Sequence, residues 1–167
     1  MNIDKLVKPE SPWIHIVIGE SFNSEDYLKE FKKSLAGGYF AILNGEKMHS
    51  INNLYVEFAD KLRFPDYFGF NGNAFDECIN DLEWLEAIGY LLIVENGDEL
   101  LIDDEKDSID WFIETISAAG DEWSIPVEGE WARNSIPFHL VINVKRKKNT
   151  SLFKSFESHS DILEVVE

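Results

Sequence analysis

The chain has 167 residues, 44% of them hydrophobic, and its 32 acidic and 15 basic residues give a formal net charge of −17. A chain of this length can bury roughly 70% of its unfolded surface, which predicts one compact domain. The negative charge argues against nucleic acid or anionic lipid as partners and favours basic surfaces, although acidity can also serve solubility alone. Neither a membrane-spanning run of about 20 apolar residues nor a signal-peptide-like start is present, which predicts a cytoplasmic protein.

The first predicted elements are a strand, a helix and a second strand. Residues 13–18 (WIHIVI) form a short β-branched run, which is typical of a strand. Ser24 is expected to cap an amphipathic helix that ends near residue 35, with acids in its first turn and lysines in its last. Residues 39–43 (YFAIL) are a second apolar strand, closed by the turn pair Asn44-Gly45.

The later elements alternate in the same way. Asn71 is expected to cap a helix that runs to about Leu85. The other predicted elements are helices at 51–62 and 107–119 and strands at 90–94 and 138–144. Strands that alternate with helices predict a mainly parallel sheet of about four strands.

The candidate catalytic residues are isolated from one another. The histidines do not have the spacing of a zinc site, and His15 and His139 lie inside predicted strands, where a structural role is expected. No phosphate-binding glycine motif occurs, and the acid-rich residues 95–110 lack the EF-hand ligand spacing. Glu77 and Asp81 stand one helical turn apart, as metal ligands would, but acids on an exposed helix face are usually solvated. Catalytic residues, metal ligands and cofactors are therefore not predicted.

Cys78 is the only cysteine, which excludes an internal disulfide and a cysteine-rich zinc site. Its spacing from Phe75 and Ile79 places it on the apolar side of the predicted helix. We therefore expect a buried, unreactive thiol.

Residues 64–85 (FPDYFGFNGNAFDECINDLEWL) indicate a binding surface. Asn73 and Glu77 lie one turn apart on the polar side of the helix and are expected to face outward together. Carboxylates on a rigid helix, flanked by Tyr67 and Phe70, suit a basic site on a protein partner.

The same segment resembles a known family. The pattern FPDYFGFN-x-x-AFDEC-x-x-DLEWL, preceded by the strand YFAILNGEKMHS, is similar to barstar and the barstar-related proteins, intracellular inhibitors of secreted microbial ribonucleases. The similarity continues through YLLIVEN, SIDWFIETISAAG and PFHLVINV and covers roughly residues 39 to 145. It implies a three-stranded parallel sheet with helices, an inhibitory surface made of this loop and helix, and no cofactor or metal.

The resemblance also implies roles for single residues. Tyr67 matches a partner-contacting aromatic residue, Gly69 and Asn71 match the turn and the helix cap, and Glu77 matches the dominant acid, here glutamate in place of aspartate. Glu114 matches a further contact acid. The residues predicted to contact the partner are Tyr67, Phe68, Phe70, Asn71, Gly72, Asn73, Asp76, Glu77, Asn80, Asp81 and Glu114.

The chain departs from the family pattern at three of these positions. Asn73 stands where the best-known inhibitor has aspartate, and Gly72 and Asp76 differ from bulkier apolar counterparts. A different cognate partner is therefore expected.

The predicted fold is a barstar-like three-layer α/β fold whose mainly parallel sheet an N-terminal strand-helix unit extends to about four strands. The expected organisation is a single domain over residues 1–145, with an N-terminal extension at 1–38 and a barstar-like core at 39–145. Residues 146–167 form a tail that is expected to be a short helix or partly mobile.

The leading functional hypothesis is an inhibitor or immunity protein, monomeric when free, that occludes the active site of a basic ribonuclease toxin. The alternative is a binding module with the same fold for a partner that is not a nuclease, which Asn73 motivates. A third class, a metal-assisted hydrolase using Glu77 and Asp81, is disfavoured by the missing ligand motif.

Overall fold

The computed structural model describes residues 2–145 and 150–166. The strands are β1 (Ile14–Ile18), β2 (Tyr39–Asn44), β3 (Tyr90–Glu95), β4 (Phe138–Val144) and β5 (Leu163–Val166). The α-helices are α1 (Ile3–Leu6), α2 (Ser24–Ser34), α3 (Ile51–Lys61), α4 (Gly72–Asp81), α5 (Lys106–Ser124) and α6 (Thr150–Ser158). Short 3-10 helices cover Gly45–Lys47, Glu83–Leu85 and Gly97–Glu99. Within the described ranges, every helix is too short or too polar to cross a membrane.

The strands form one sheet in the order β2-β3-β4-β1-β5, and every pairing is parallel. The strand β1 is interior, because Ile14 is paired with Leu140 on one side and with Leu163 on the other. Parallel strands joined by helices confirm the predicted α/β class.

The sheet has one strand more than the four or so that we predicted. The additional strand, β5, lies in the tail and follows α6. Its run LEVV is only four residues long and includes a charged residue, Glu164, so it gives a weak strand signal. Within the tail, a short helix is thus present, while residues 146–149 lie outside the described residues.

Helices cover both faces of the sheet. The helices α3 to α6 pack on one face around a large core that contains Phe75 and Phe112. The helices α1 and α2 cover the other face, where Leu6 and Phe31 pack against Ile93. This arrangement is the predicted three-layer fold, and burial of each such side chain stabilises it by about 1.5–3 kcal/mol.

Two helix boundaries differ from the prediction. The helix α4 was expected to reach about Leu85, but it ends at Asp81 because Leu82 adopts a left-handed conformation (φ 44°) and is fully buried. The helix α2 is capped by Asn23, whose side chain accepts a hydrogen bond from the Glu25 amide, and not by Ser24. The Ser24 hydroxyl instead donates to the carboxylate of Glu95 at the end of β3.

A chain of hydrogen bonds through two buried histidines joins the N-terminal unit to β4 and β5. The ring nitrogen Nε2 of His139 lies 2.8 Å from the carbonyl oxygen of Lys8, and its Nδ1 lies 3.1 Å from Nε2 of His15. The Nδ1 atom of His15 faces Glu164 at 3.2 Å. Burial lowers the pKa of His139 to about 4, against the opposing effect of the Lys8 carbonyl. These contacts agree with the structural role predicted for the two histidines.

Candidate functional site

The loop before α4 is built on a cluster of aromatic rings. The ring of Phe68 lies 5.0 Å from that of Phe64 and 4.7 Å from that of Phe70. Phe68 is buried, so this residue, which was predicted to contact the partner, supports the loop from inside. Tyr67 and Phe70, by contrast, are 74% and 54% exposed, and their rings are available for contact.

Asn71 joins this loop to the start of α4 by hydrogen bonds. Its Oδ1 accepts a hydrogen bond from the amide of Ala74 (3.0 Å), and its Nδ2 donates to the carbonyl of Gly69 (3.1 Å). Phe70, which lies between Gly69 and Asn71 in the sequence, has a positive φ of 48°. This arrangement confirms the predicted N-cap, and it satisfies a backbone donor that the helix leaves unpaired.

The start of α4 rests on α5. A Cβ atom added to Gly72 would lie 3.4 Å from Trp111 of α5, and Gly72 is only partly exposed. The Trp111 ring also contacts those of Tyr55 and Phe75, with centroids 6.0 and 5.7 Å apart. Gly72 therefore lies at the contact between α4 and α5, with room for a Cβ atom in ordinary van der Waals contact with Trp111. Trp111 was not singled out from the sequence, since aromatic residues at helical spacing usually indicate only a core position.

The two faces of α4 divide as predicted. Phe75, Cys78 and Ile79 are buried, with Cys78 only 3% exposed, and burial is the first cause of the raised pKa of its thiol. Asn73, Asp76, Glu77 and Asp81 are exposed on the other face. Asn80 is partly buried, and its amide donates to the carbonyl of Asp76 at 2.9 Å, so its side chain is held against the helix.

The surface carries a concentrated negative charge. Residues 64–86 contain six acids and no lysine or arginine, and all six are exposed: Asp66, Asp76, Glu77, Asp81, Glu83 and Glu86. Among the described residues, no ion pair involves Glu77 or Asp81. Desolvation of the Tyr67 hydroxyl, followed by the negative charges of nearby acids that include Asp81 and Glu77, raises the pKa of Tyr67. Within the described part of the chain, Glu77 and Asp81 therefore have no ion-pair partner.

Glu114 is the one predicted contact residue that is outside the loop and α4. It is on α5, one turn after Trp111, and its side chain is 66% exposed. Its Oε1 atom lies 3.3 Å from Nε2 of His159, which follows α6. Sequence reasoning missed His159, because nothing in the tail indicates that it folds back onto α5.

In the part of the chain that the structure describes, no three His, Cys, Asp or Glu side chains come together in a way that could hold a metal ion. The fold and the site therefore define an all-parallel α/β protein that carries an acidic helix beside exposed aromatic rings.

Comparison with known proteins identifies the family. The family model described as Barstar (barnase inhibitor) matches residues 39–143, which is more than half of the chain. The protein belongs to the barstar family. The matched segment begins at β2 and ends within β4, so β1, α2 and the tail lie outside it.

Several solved structures share the overall fold. The ORC2 protein of Aeropyrum pernix matches with a TM-score of 0.60 in its ADP form and 0.61 in its ADPNP-ADP complexes, at 9% and 6% identity. Each match covers 91% of this chain and only 40% of that chain. Drosophila ORC bound to DNA matches with a TM-score of 0.52 at 12% identity, over 93% of this chain and 80% of that chain. At these identities the likeness concerns the fold alone.

Proposed function

We propose that this protein inhibits a basic ribonuclease by placing α4 and its aromatic loop over the enzyme's active site. The observation that carries the proposal is the exposed acidic face around Glu77, flanked by the exposed rings of Tyr67 and Phe70. Membership of an inhibitor family supports it. In this role the protein is not an enzyme and needs no cofactor.

The proposed mechanism is electrostatic mimicry. The carboxylates of Asp76, Glu77 and Asp81 take the place of substrate phosphates among the enzyme's basic side chains. The net charge of −17 accelerates encounter with a basic partner. Tyr67 and Phe70 exclude water around the charged contacts, which strengthens them. We infer that the inhibitor is monomeric when free and acts in the cytoplasm, where it protects the cell from a toxic ribonuclease.

The test is a titration of barnase, with ribonuclease activity as the readout, using the wild type and two variants. Glu77→Gln removes the central acid. Glu25→Gln makes the same charge change at an exposed position on α2, on the opposite face of the sheet. We expect inhibition by the wild type and a loss of about 2 kcal/mol or more for Glu77→Gln, the threshold for a hot spot, of which the barnase–barstar interface is itself a standard example.

The Glu25→Gln control distinguishes binding at the α4 surface from general attraction by the net negative charge of the protein. Glu25→Gln should change binding by less than about twofold, and that change should vanish in added salt. Equal losses in the two variants would mean that only the net charge matters. Failure of the wild type to bind barnase or other basic ribonucleases would contradict the proposal.

A second candidate function rests on Asn73. An exposed amide stands here, one turn before Glu77, and an amide suits a neutral hydrogen-bonding group better than a cation. The same surface would then bind a protein that is not a nuclease. Absence of binding to basic ribonucleases, together with Glu77-dependent binding of a different protein, would favour this alternative.

A further inference from the structure

The loop between α5 and β4 carries an exposed apolar patch. Trp131 is 79% exposed, and Ile125 and Val127 of the same loop are 57% and 38% exposed. Single exposed apolar side chains are normal on a protein surface, but three large ones within seven residues indicate a surface that binds something. Trp131 is more exposed than Tyr67 of the loop before α4.

Hydrogen bonds hold this loop at its base. The amides of Val127 and Arg133 each donate to the carbonyl oxygen of the other residue at 2.9 Å, which forms an antiparallel bridge. The Arg133 guanidinium stacks on the ring of Trp123, with its Cζ atom 4.6 Å from the ring centroid. It also donates to the carbonyl oxygens of Glu122 (2.9 Å), Trp123 (3.0 Å) and Ile125 (3.0 Å), two of which lie in the last turn of α5, where helical donors run out. The patch thus has a fixed support, which lowers the entropy lost on binding.

The charges next to the patch are negative. Residues 121–131 contain four acids and no lysine or arginine, and all four are exposed: Asp121, Glu122, Glu128 and Glu130. Arg133 is the only lysine or arginine between residues 107 and 144, and its guanidinium is bonded to backbone carbonyls. A surface that is apolar and negative complements one that is apolar and positive. A second copy of this chain or an anionic membrane would instead meet like charge.

We propose that residues 125–131 form a docking surface for an amphipathic segment of a protein partner that is rich in lysine or arginine. Trp131 packs on the apolar side of the segment, and Glu128 and Glu130 pair with its cations. Tryptophan is among the residues that most often dominate the binding energy of an interface, and the charge pairs around it fix orientation. The surface belongs to the loop after α5 and not to α4, so the inference does not depend on ribonuclease inhibition.

The experiment measures, by fluorescence anisotropy, the binding of a fluorescein-labelled helical peptide of leucine and lysine to the full chain. Trp131→Ala removes the proposed anchor. Val56→Ala is the control, because it truncates another exposed apolar side chain, 57% exposed, on α3. We expect Trp131→Ala to weaken binding on the order of tenfold and Val56→Ala to change it by less than about twofold.

A pair of charge-matched double variants tests the acids. Glu128→Gln with Glu130→Gln removes two charges from the loop, whereas Glu25→Gln with Asp26→Asn removes two exposed charges from α2. The loop variant should weaken binding on the order of threefold, the size expected for exposed ion pairs, and the α2 variant should have a smaller effect. A peptide with glutamate in place of lysine should not bind.

A second readout tests whether the indole itself is covered. Trp13 and Trp123 are buried, at 3% and 4% exposure, whereas Trp131 is open to solvent. Binding of the peptide should therefore shield tryptophan emission from acrylamide. This shielding should be absent in Trp131→Phe, which keeps an aromatic anchor and should bind more tightly than Trp131→Ala. The comparison also shows that a loss in Trp131→Ala does not come from unfolding.

Several outcomes would overturn the inference. Wild-type affinity in Trp131→Ala, or equal losses in Trp131→Ala and Val56→Ala, would show that Trp131 is not the anchor. Equal losses in the two double variants would mean that the peptide responds only to net charge. Shielding of Trp131 by phosphatidylcholine vesicles or by self-association, without shielding by the peptide, would assign the patch to a membrane or a second copy. None of these results bears on the Glu77→Gln titration, so the proposed function stands or fails separately.

Discussion

The indole of Trp13 packs directly on the backbone of Gly120. A Cβ atom added to Gly120 would lie 2.2 Å from Cγ of Trp13, and Nε1 of Trp13 donates to Oδ1 of Asp121 at 2.7 Å. Trp13 immediately precedes β1, outside the segment that matches the family, and Gly120 is within that segment. The N-terminal unit and the barstar core are therefore fitted to each other at a contact that only glycine permits.

Gly120→Ala is expected to destabilise the protein. Alanine is better than glycine in a helix by about 1 kcal/mol, but overpacking against a buried indole costs about 1–3 kcal/mol. Urea unfolding should show a net loss. In a Trp13→Ala background the same substitution should instead stabilise. A net gain in the presence of Trp13 would show that the two segments are not in close contact.

Asn73→Asp is expected to strengthen binding to a basic ribonuclease. The position lies in the first turn of α4, which has no acid, so the new charge should also stabilise the helix by about 0.3–1 kcal/mol. The control is Asn52→Asp in the first turn of α3, which likewise has no acid. It should raise stability without changing affinity. Equal affinity gains in the two variants would point to net charge alone.

His139 is expected to titrate near pH 4 in the folded protein, well below the ordinary value of about 6.5. Because the folded state holds the neutral ring, the unfolded chain binds more protons between these two pH values. The stability contributed by neutral His139 is therefore lost as the pH falls from about 6.5 to 4. The imidazole carbon-bound proton shifts in an NMR titration measure the midpoint directly, and a midpoint near 6.5 would contradict the burial of the ring.

Cys78 is expected to react slowly with thiol reagents at neutral pH, because it is buried and its pKa is raised, first by burial and then by Asp81 and Glu77. An internal comparison is Ala118→Cys, which adds a thiol at an exposed position of α5. In that variant one thiol should react at once and the other only as the protein unfolds. Two fast thiols would contradict the assignment of the buried face.

The helix α4 was predictable because several constraints agreed. Asn71 is a strong cap, and the apolar residues Phe75, Cys78 and Ile79 recur at helical spacing, so the outward face of Asn73 and Glu77 followed from periodicity. The position at which the helix ends could not be predicted from this periodicity. Leu82 continues the apolar pattern, and only its burial in a left-handed conformation stops the helix there.

The features that were missed depend on distant parts of the chain. Phe68 lies in a loop, where no periodicity distinguishes a buried ring from the exposed rings of Tyr67 and Phe70. Glu164 is tolerated in β5 because Lys5 and His15 bind its carboxylate, partners that only the folded structure brings near. The contact between His159 and Glu114 has the same origin.

The interior position of β1 has a consequence for how the chain folds as it is synthesised. Ile14 is paired with Leu140 and Leu163, so β1 has no neighbour in the sheet until β4 leaves the ribosome. Until then both edges of β1 and the edge of β3 that faces β4 stay open, and such open strands are prone to aggregate. The nascent chain therefore depends on the late arrival of β4, and folding dominated by such distant pairings is slow.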